Sequence, residues 1–188
     1  MRPIIAAVLV VVGVSAFAQS RATGPAAAIK NPVAVRGKYL SLVVGTSATT
    51  VVPGARVTLL VQVTPRPKIH VYAPGQDGYI AADLSVTPNP AFTVKPLVYP
   101  PSRPYKFAPT EETVKVYDEP FQLSQELVLA ASAAIQRRAA SGDNLTVTGA
   151  FKYQACDDAV CYRPETVALT WTLRLTTPSQ KSKVRSQK

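Results

Sequence analysis

Three stretches of the chain alternate apolar and polar residues with a period of two. Val57, Leu59, Val61 and Val63 alternate with Thr58 and Gln62. Leu145, Val147, Phe151 and Tyr153 alternate with Thr146, Thr148 and Lys152. Val167, Leu169, Trp171, Leu173 and Leu175 alternate with Thr170, Thr172 and Arg174. Successive side chains of a strand point to opposite faces, so this pattern predicts antiparallel strands with one face on a core. Further short strands are expected near residues 39–44, 69–73, 80–86, 92–98, 113–117 and 121–131. Gly75-Gln76-Asp77-Gly78 and Ser141-Gly142-Asp143-Asn144 are turn signals, and Pro88 and Pro90 bracket Asn89. The 17 prolines oppose long helices and suit strand ends and edges. Many short strands with regular breaks predict a two-sheet β-sandwich. The alanine-rich stretch Ala130 to Ala140 reads as a long connection with one helical turn. Tyr99 to Pro109 (YPPSRPYKFAP) is too proline-rich for a central strand and is expected to be a surface loop.

Cys156 and Cys161 enclose Asp157-Asp158-Ala159-Val160, with strongly patterned strands on both sides. This predicts a β-hairpin with the cysteines at the mouth of its turn, close enough to be joined. A bond closing so short a loop is worth roughly 2 kcal/mol, a weak staple for a sandwich. The spacing alone leaves a redox pair, a plain hairpin disulfide and a metal site all open. Register holds a second clue. If Cys156 faces Cys161, counting outward sets Lys152 against Glu165 and Ala150 against Val167, polar face against apolar. A shift of one residue repairs this, and a bulge near Arg163-Pro164 would supply it. The cysteine end is therefore expected to be irregular and solvent-facing. Asp157 and Asp158 disfavour a thiolate on Cys156, while Arg163 partly offsets them for Cys161.

The chain has 188 residues, enough for one domain with a real core. Arg2, the apolar run Ile4 to Val14 and Ala16-Phe17-Ala18 read as a cleaved secretory signal peptide over residues 1–18. That predicts a periplasmic protein without an integral membrane segment, in a compartment where two cysteines oxidise unless something reduces them. Residues 19–37 lack periodicity and read as a flexible leader; residues 38–176 form the domain. Net charge is +10, and Lys181, Lys183, Arg185 and Lys188 fall in a basic tail, residues 177–188, expected to be disordered. No aromatic–basic interleaving or zinc-finger spacing points to nucleic acid.

The run Tyr153-Gln154-Ala155-Cys156, then Cys161-Tyr162-Arg163-Pro164-Glu165-Thr166, resembles the cysteine hairpin of the N-terminal periplasmic domain of the thiol:disulfide interchange protein DsbD. Ile69 to Pro74, Tyr99-Pro100-Pro101 and Val116-Tyr117-Asp118-Glu119 are similar in looser ways. The resemblance implies an all-β, immunoglobulin-like antiparallel sandwich and a redox-active Cys156–Cys161 pair, a component of a protein-disulfide reductase. It implies electron supply from a membrane-embedded or thioredoxin-like reductase and delivery to a periplasmic oxidoreductase, with no cofactor. An aromatic residue caps the disulfide in this family. The Tyr105-Lys106-Phe107 segment occupies the comparable place here, with Phe107 the candidate cap, and Tyr162 could also shield the bond. Arg163 stands where proline is common, and the loop between the cysteines is shorter than in the best-known member. DsbD proper continues into membrane helices and a thioredoxin-like domain, absent from this sequence, so the expected donor is a separate protein.

Other residues have plainer readings. His70, the single histidine, reads as a structural residue on a short strand. With both cysteines it would be the third ligand of a copper-handling alternative. A non-enzymatic envelope scaffold with a structural hairpin bond is the other alternative. Tyr72, Tyr79, Tyr99 and Tyr153 read as core or sheet-face residues, and Asn144-Leu145-Thr146 as a turn as readily as a glycosylation signal.

Overall fold

The structure is a computed structural model that describes residues 26–107 and 111–179. The expected signal peptide, the start of the expected leader, Ala108-Pro109-Thr110 and most of the expected basic tail lie outside the described residues. The strands are β1 (Lys30–Arg36), β2 (Leu40–Thr46), β3 (Thr50–Val51), β4 (Arg56–Pro65), β5 (His70–Tyr72), β6 (Asp83–Val86) and β7 (Phe92–Val98). They continue as β8 (Arg103–Phe107), β9 (Glu112–Tyr117), β10 (Phe121–Leu129), β11 (Asn144–Tyr153), β12 (Ala155–Cys156) and β13 (Glu165–Leu175), with helix α1 (Ala133–Ala140) before β11.

The strands make three sheets, ordered β1-β2-β4-β10-β7, β3-β13-β11-β6 and β12-β5-β9-β8. All pairings are antiparallel except the short β3–β13 contact. The first two sheets face each other as an immunoglobulin-like sandwich. Alternation decides which side chains go inside: on β10 Phe121, Leu123, Gln125, Leu127 and Leu129 are buried, and on β13 Leu169, Trp171, Leu173 and Leu175. Trp171 spans the layers, its indole N–H donating to the Leu60 carbonyl at 3.5 Å. Gly149 is where β6 closes on β11, since a Cβ there would run into the Ser85 carbonyl.

Three expectations change. The segment expected to be a leader forms β1 from Lys30 to Arg36, paired with β2, although its side chains are nearly all exposed. An edge strand held by backbone bonds alone needs no apolar alternation. The expected surface loop from Tyr99 contains β8, which pairs only with β9 and so accommodates Pro104 at a sheet edge. The alanine-rich connection holds an eight-residue helix rather than one turn. Ser132 caps it by accepting from the Ile135 N–H, and Ile135 and Ala139 pack it onto the core.

The third sheet carries the cysteines. Lys68 takes φ 66° in the turn that follows β4, and the Ile69 N–H closes that turn on the Arg66 carbonyl. The chain thereby enters β5 with His70 opposite Cys156 and Val71 opposite Ala155.

Candidate functional site

The hairpin has a stem in one sheet and a tip in another. In the stem, Tyr153 faces Glu165 and Lys152 faces Thr166. At the tip, Cys156 faces Cys161, and the Tyr162 N–H donates to the Ala155 carbonyl. Between these points Gln154 stands against both Arg163 and Pro164. This is the one-residue shift expected from the hydrophobic pattern, and it falls at the expected residues. Gln154 secures it, its Nε2 donating to the Tyr162 carbonyl at 3.1 Å.

The sulfurs of Cys156 and Cys161 are bonded at 2.13 Å, with Cα atoms 4.0 Å apart. The two ends of the bond differ. Cys156 is 0% exposed and packs with Tyr72, Val114 and Val116, with Tyr79 and Tyr105 against them. Cys161 is exposed, as are Asp158, Ala159 and Val160 beside it. The expectation of a solvent-facing end holds for Cys161 and its turn but not for Cys156, which β5 covers.

Tyr72, expected as a core or sheet-face residue, is fully buried and also belongs to the site. Its hydroxyl lies 3.2 Å from the Cys161 sulfur and 3.3 Å from that of Cys156. Sulfurs in a disulfide carry no hydrogen, so the tyrosine O–H is the donor to both. Burial pushes the Tyr72 hydroxyl up to about 12, and the neighbouring Tyr79 and Glu112 act the same way, so it keeps its proton. Tyr79 lies tilted against it, ring centroids 4.3 Å apart, and donates to Glu112. The signal was present in the alternation His70-Val71-Tyr72, which puts Tyr72 on the His70 face. Only the β5–β12 pairing, which joins residues far apart in sequence, reveals that this face meets the cysteines.

The sequence-predicted residues fall around this centre. Asp157 organises the turn: its Oδ1 accepts from the Ala159 and Val160 N–H groups, each at 2.8 Å, and its Oδ2 from the Tyr162 hydroxyl at 2.6 Å. The Tyr162 bond first, then the two backbone bonds, hold its carboxyl down at about 2. Tyr162 stacks on Tyr39 at 4.3 Å and clamps the tip against the β1–β2 turn. Asp158 accepts from the Tyr105 hydroxyl at 2.7 Å. Tyr105 thus closes the tip from the β8 side and lies 4.3 Å from the His70 ring. Phe107 is buried and meets His70 edge-on at 6.4 Å. Arg163 is exposed in the bulge. Among the described residues, no group of three or more His, Cys, Asp or Glu side chains could hold a metal ion. None of their helices is long and apolar enough to cross a membrane.

The family model for the N-terminal domain of thiol:disulfide interchange protein DsbD matches residues 41–172. The chain belongs to the DsbD N-terminal family. No curated protein sequence matches it. Among solved structures it is similar to the N-terminal periplasmic domain of ScsB from Proteus mirabilis, with a TM-score of 0.50 and 14% identity. That match covers 84% of this chain and 56% of the other, so the chain spans little more than half of that structure. At this identity the likeness bears on fold, and it agrees with the sandwich described above. The DsbD N-terminal match takes in β2 to most of β13, and with them the whole cysteine tip.

Proposed function

We propose that this DsbD N-terminal domain is a periplasmic thiol–disulfide exchange protein in which Cys161 is the sulfur attacked. The observation that carries this reading is the asymmetry of the bond. Cys161 is an exposed residue and Cys156 a fully buried one, while the Tyr72 hydroxyl reaches both sulfurs.

Exchange proceeds by a thiolate attacking one sulfur of a disulfide while the other leaves as thiolate. A donor thiolate reaches Cys161 Sγ, forms a mixed disulfide with it, and breaks the bond to Cys156. The electron pair departs on Cys156 Sγ, where the Tyr72 O–H stands ready to donate to it. The donor's second thiol then attacks the mixed disulfide and releases Cys161. The donor leaves oxidised, and the domain holds two thiols. The same steps in reverse reduce the disulfide of an acceptor. The donor in this reading is a membrane-embedded or thioredoxin-like reductase, the acceptor a periplasmic oxidoreductase.

A purely structural bond fits less well. The stem already pairs β11 with β13 along its whole length, from Asn144 to Tyr153. A cross-link closing the short tip adds only about 2 kcal/mol to that. The test combines a reduction potential with trapping. The reading expects a potential well above about −300 mV, below which structural disulfides lie. It also expects a mixed disulfide to accumulate on the Cys156→Ser variant, which keeps the open sulfur, and not on Cys161→Ser. A potential below that mark with no trapped partner would leave a sandwich with a structural bond.

A further inference from the structure

His70 stands opposite Cys156 in the antiparallel β5–β12 pair, so the two side chains share a face of the sheet. Residues opposed in this way hold their β-carbons about 4.5–5.5 Å apart. Cys161 flanks Cys156 on its other side. Cys161, Cys156 and His70 therefore form a row across three neighbouring segments.

The imidazole is 2% exposed. It is enclosed by aromatic rings, with Tyr105 at 4.3 Å, Tyr72 at 6.0 Å and Phe107 at 6.4 Å. Its Nε2 is buried and has no hydrogen-bond partner. A buried nitrogen left unpaired costs the full price of its desolvation. The exchange steps above make no use of it. The disulfide cannot satisfy it well, because neither sulfur has a hydrogen and sulfur accepts weakly. Reduction changes that, since it creates an S–H on Cys156, one strand away from the ring.

We propose that the Cys156 sulfur and His70 Nε2 become hydrogen-bonded when the pair is reduced, so that reduction satisfies a nitrogen the disulfide leaves orphaned. The proposal rests on the thiol–disulfide reading and names a residue that would set its poise. The donor dithiol supplies two electrons and two protons; the S–S bond breaks, each cysteine becomes a thiol, and the donor becomes a disulfide. The S–H on Cys156 then donates to Nε2 of a neutral ring protonated at Nδ1. The other tautomer donates from Nε2 to a Cys156 thiolate, joining the same two atoms. The groups facing His70 are Tyr72 and Cys156, Tyr105 and Arg103 from β8, and Asp157 and Asp158 from the tip. Burial, the largest influence, and Arg103 lower the pKa of the ring, while the two aspartates oppose them. The net lowering keeps the ring neutral and its nitrogen free to pair.

The test uses the untagged protein, in which His70 is the sole histidine and its ¹⁵N imidazole signals need no assignment. Spectra are compared in the oxidised form and after reduction with a phosphine, which needs no protein partner. A displaced Nε2 shift on reduction is expected. In parallel, His70→Phe keeps the ring packing and removes both nitrogens. Its equilibrium constant for reduction should fall about tenfold, or ~30 mV for a two-electron couple. His70→Gln, which restores a polar side-chain end, should recover part of the loss. An Nε2 shift indifferent to redox state, or a Phe variant whose constant stays within twofold of wild type, would overturn the proposal. A shift that moves in a protein that exchanges with no partner would uphold the hydrogen bond and remove the functional reading instead.

Discussion

Replacing Tyr72 by phenylalanine separates the two jobs of that residue. The ring, fully buried against Tyr79, Val114 and Val116, stays. Only the hydroxyl that touches both sulfurs is lost. In the oxidised protein that hydroxyl makes neutral hydrogen bonds to a weak acceptor, so folding stability should fall by about 0.5–1.5 kcal/mol at most. During exchange the acceptor is a departing thiolate with no access to water. A hydrogen bond to a charged group is worth about 1.5–3 kcal/mol. If that is lost at the transition state, reduction should slow by about 10- to 150-fold at about 1.4 kcal/mol per decade. The assay is stopped-flow reduction by dithiothreitol under pseudo-first-order conditions, with urea unfolding of the oxidised protein alongside. A large kinetic loss with a small stability loss is expected. A rate within twofold of wild type would refute the role given to Tyr72, since the departing sulfur would then leave without its help.

Further outcomes can be checked on the same protein. Removing the cross-link with Cys156→Ser/Cys161→Ser should lower stability by about 2 kcal/mol in urea unfolding and leave far-ultraviolet circular dichroism unchanged, because the stem pairs without it. Asp157 has its carboxyl held at about 2 against an ordinary 3.8, so its support of the turn is present above pH 3.8 and is lost as pH falls toward 2. Amide exchange at Ala159 and Val160 should accelerate over that window, and Asp157→Asn should weaken their protection at neutral pH. Tyr72, Tyr117 and Tyr153 all have hydroxyls pushed up to about 12 against 10.0, burial first in each case. The unfolded chain therefore ionises first, and stability should be intact below pH 10 and decline between pH 10 and 12, followed by tyrosinate absorbance at equilibrium. Gly149→Ala would force a methyl group into the Ser85 carbonyl and should cost about 1–3 kcal/mol by calorimetry while loosening β6.

The strands that cover the core were legible because burial wrote alternation into them. β13 alternates from Glu165 to Leu175, and β7 falls on the expected residues 92–98. β1 and β8 were missed for different reasons. β1 has nearly all its side chains exposed and is placed by backbone pairing with β2, while β8 ends on the buried Phe107 but lies in a proline-rich run that reads as a loop. The bulge at Arg163-Pro164 could be deduced because two constraints, the cysteine pairing and the apolar face, disagreed by one residue. Asp157 and Tyr162 were visible as neighbours of the cysteines, but not the hydrogen bond between them. Tyr72 was visible only as a core or sheet-face residue, and His70 as a strand residue or, with the cysteines, as the third ligand of a copper-handling alternative. Their position follows from β5 pairing with β12, a contact between residues separated by most of the domain. Long-range pairing of this kind is what single-sequence periodicity does not encode.

The offset at Gln154 makes the cysteine tip a replaceable end piece. The stem keeps its register with the sandwich however the turn beyond it is built, because the bulge takes up the mismatch before it reaches Tyr153 and Glu165. A residue inserted or deleted between the cysteines would therefore be absorbed locally, without re-threading the strands. The fold can vary the chemistry at its tip while its architecture stays constant.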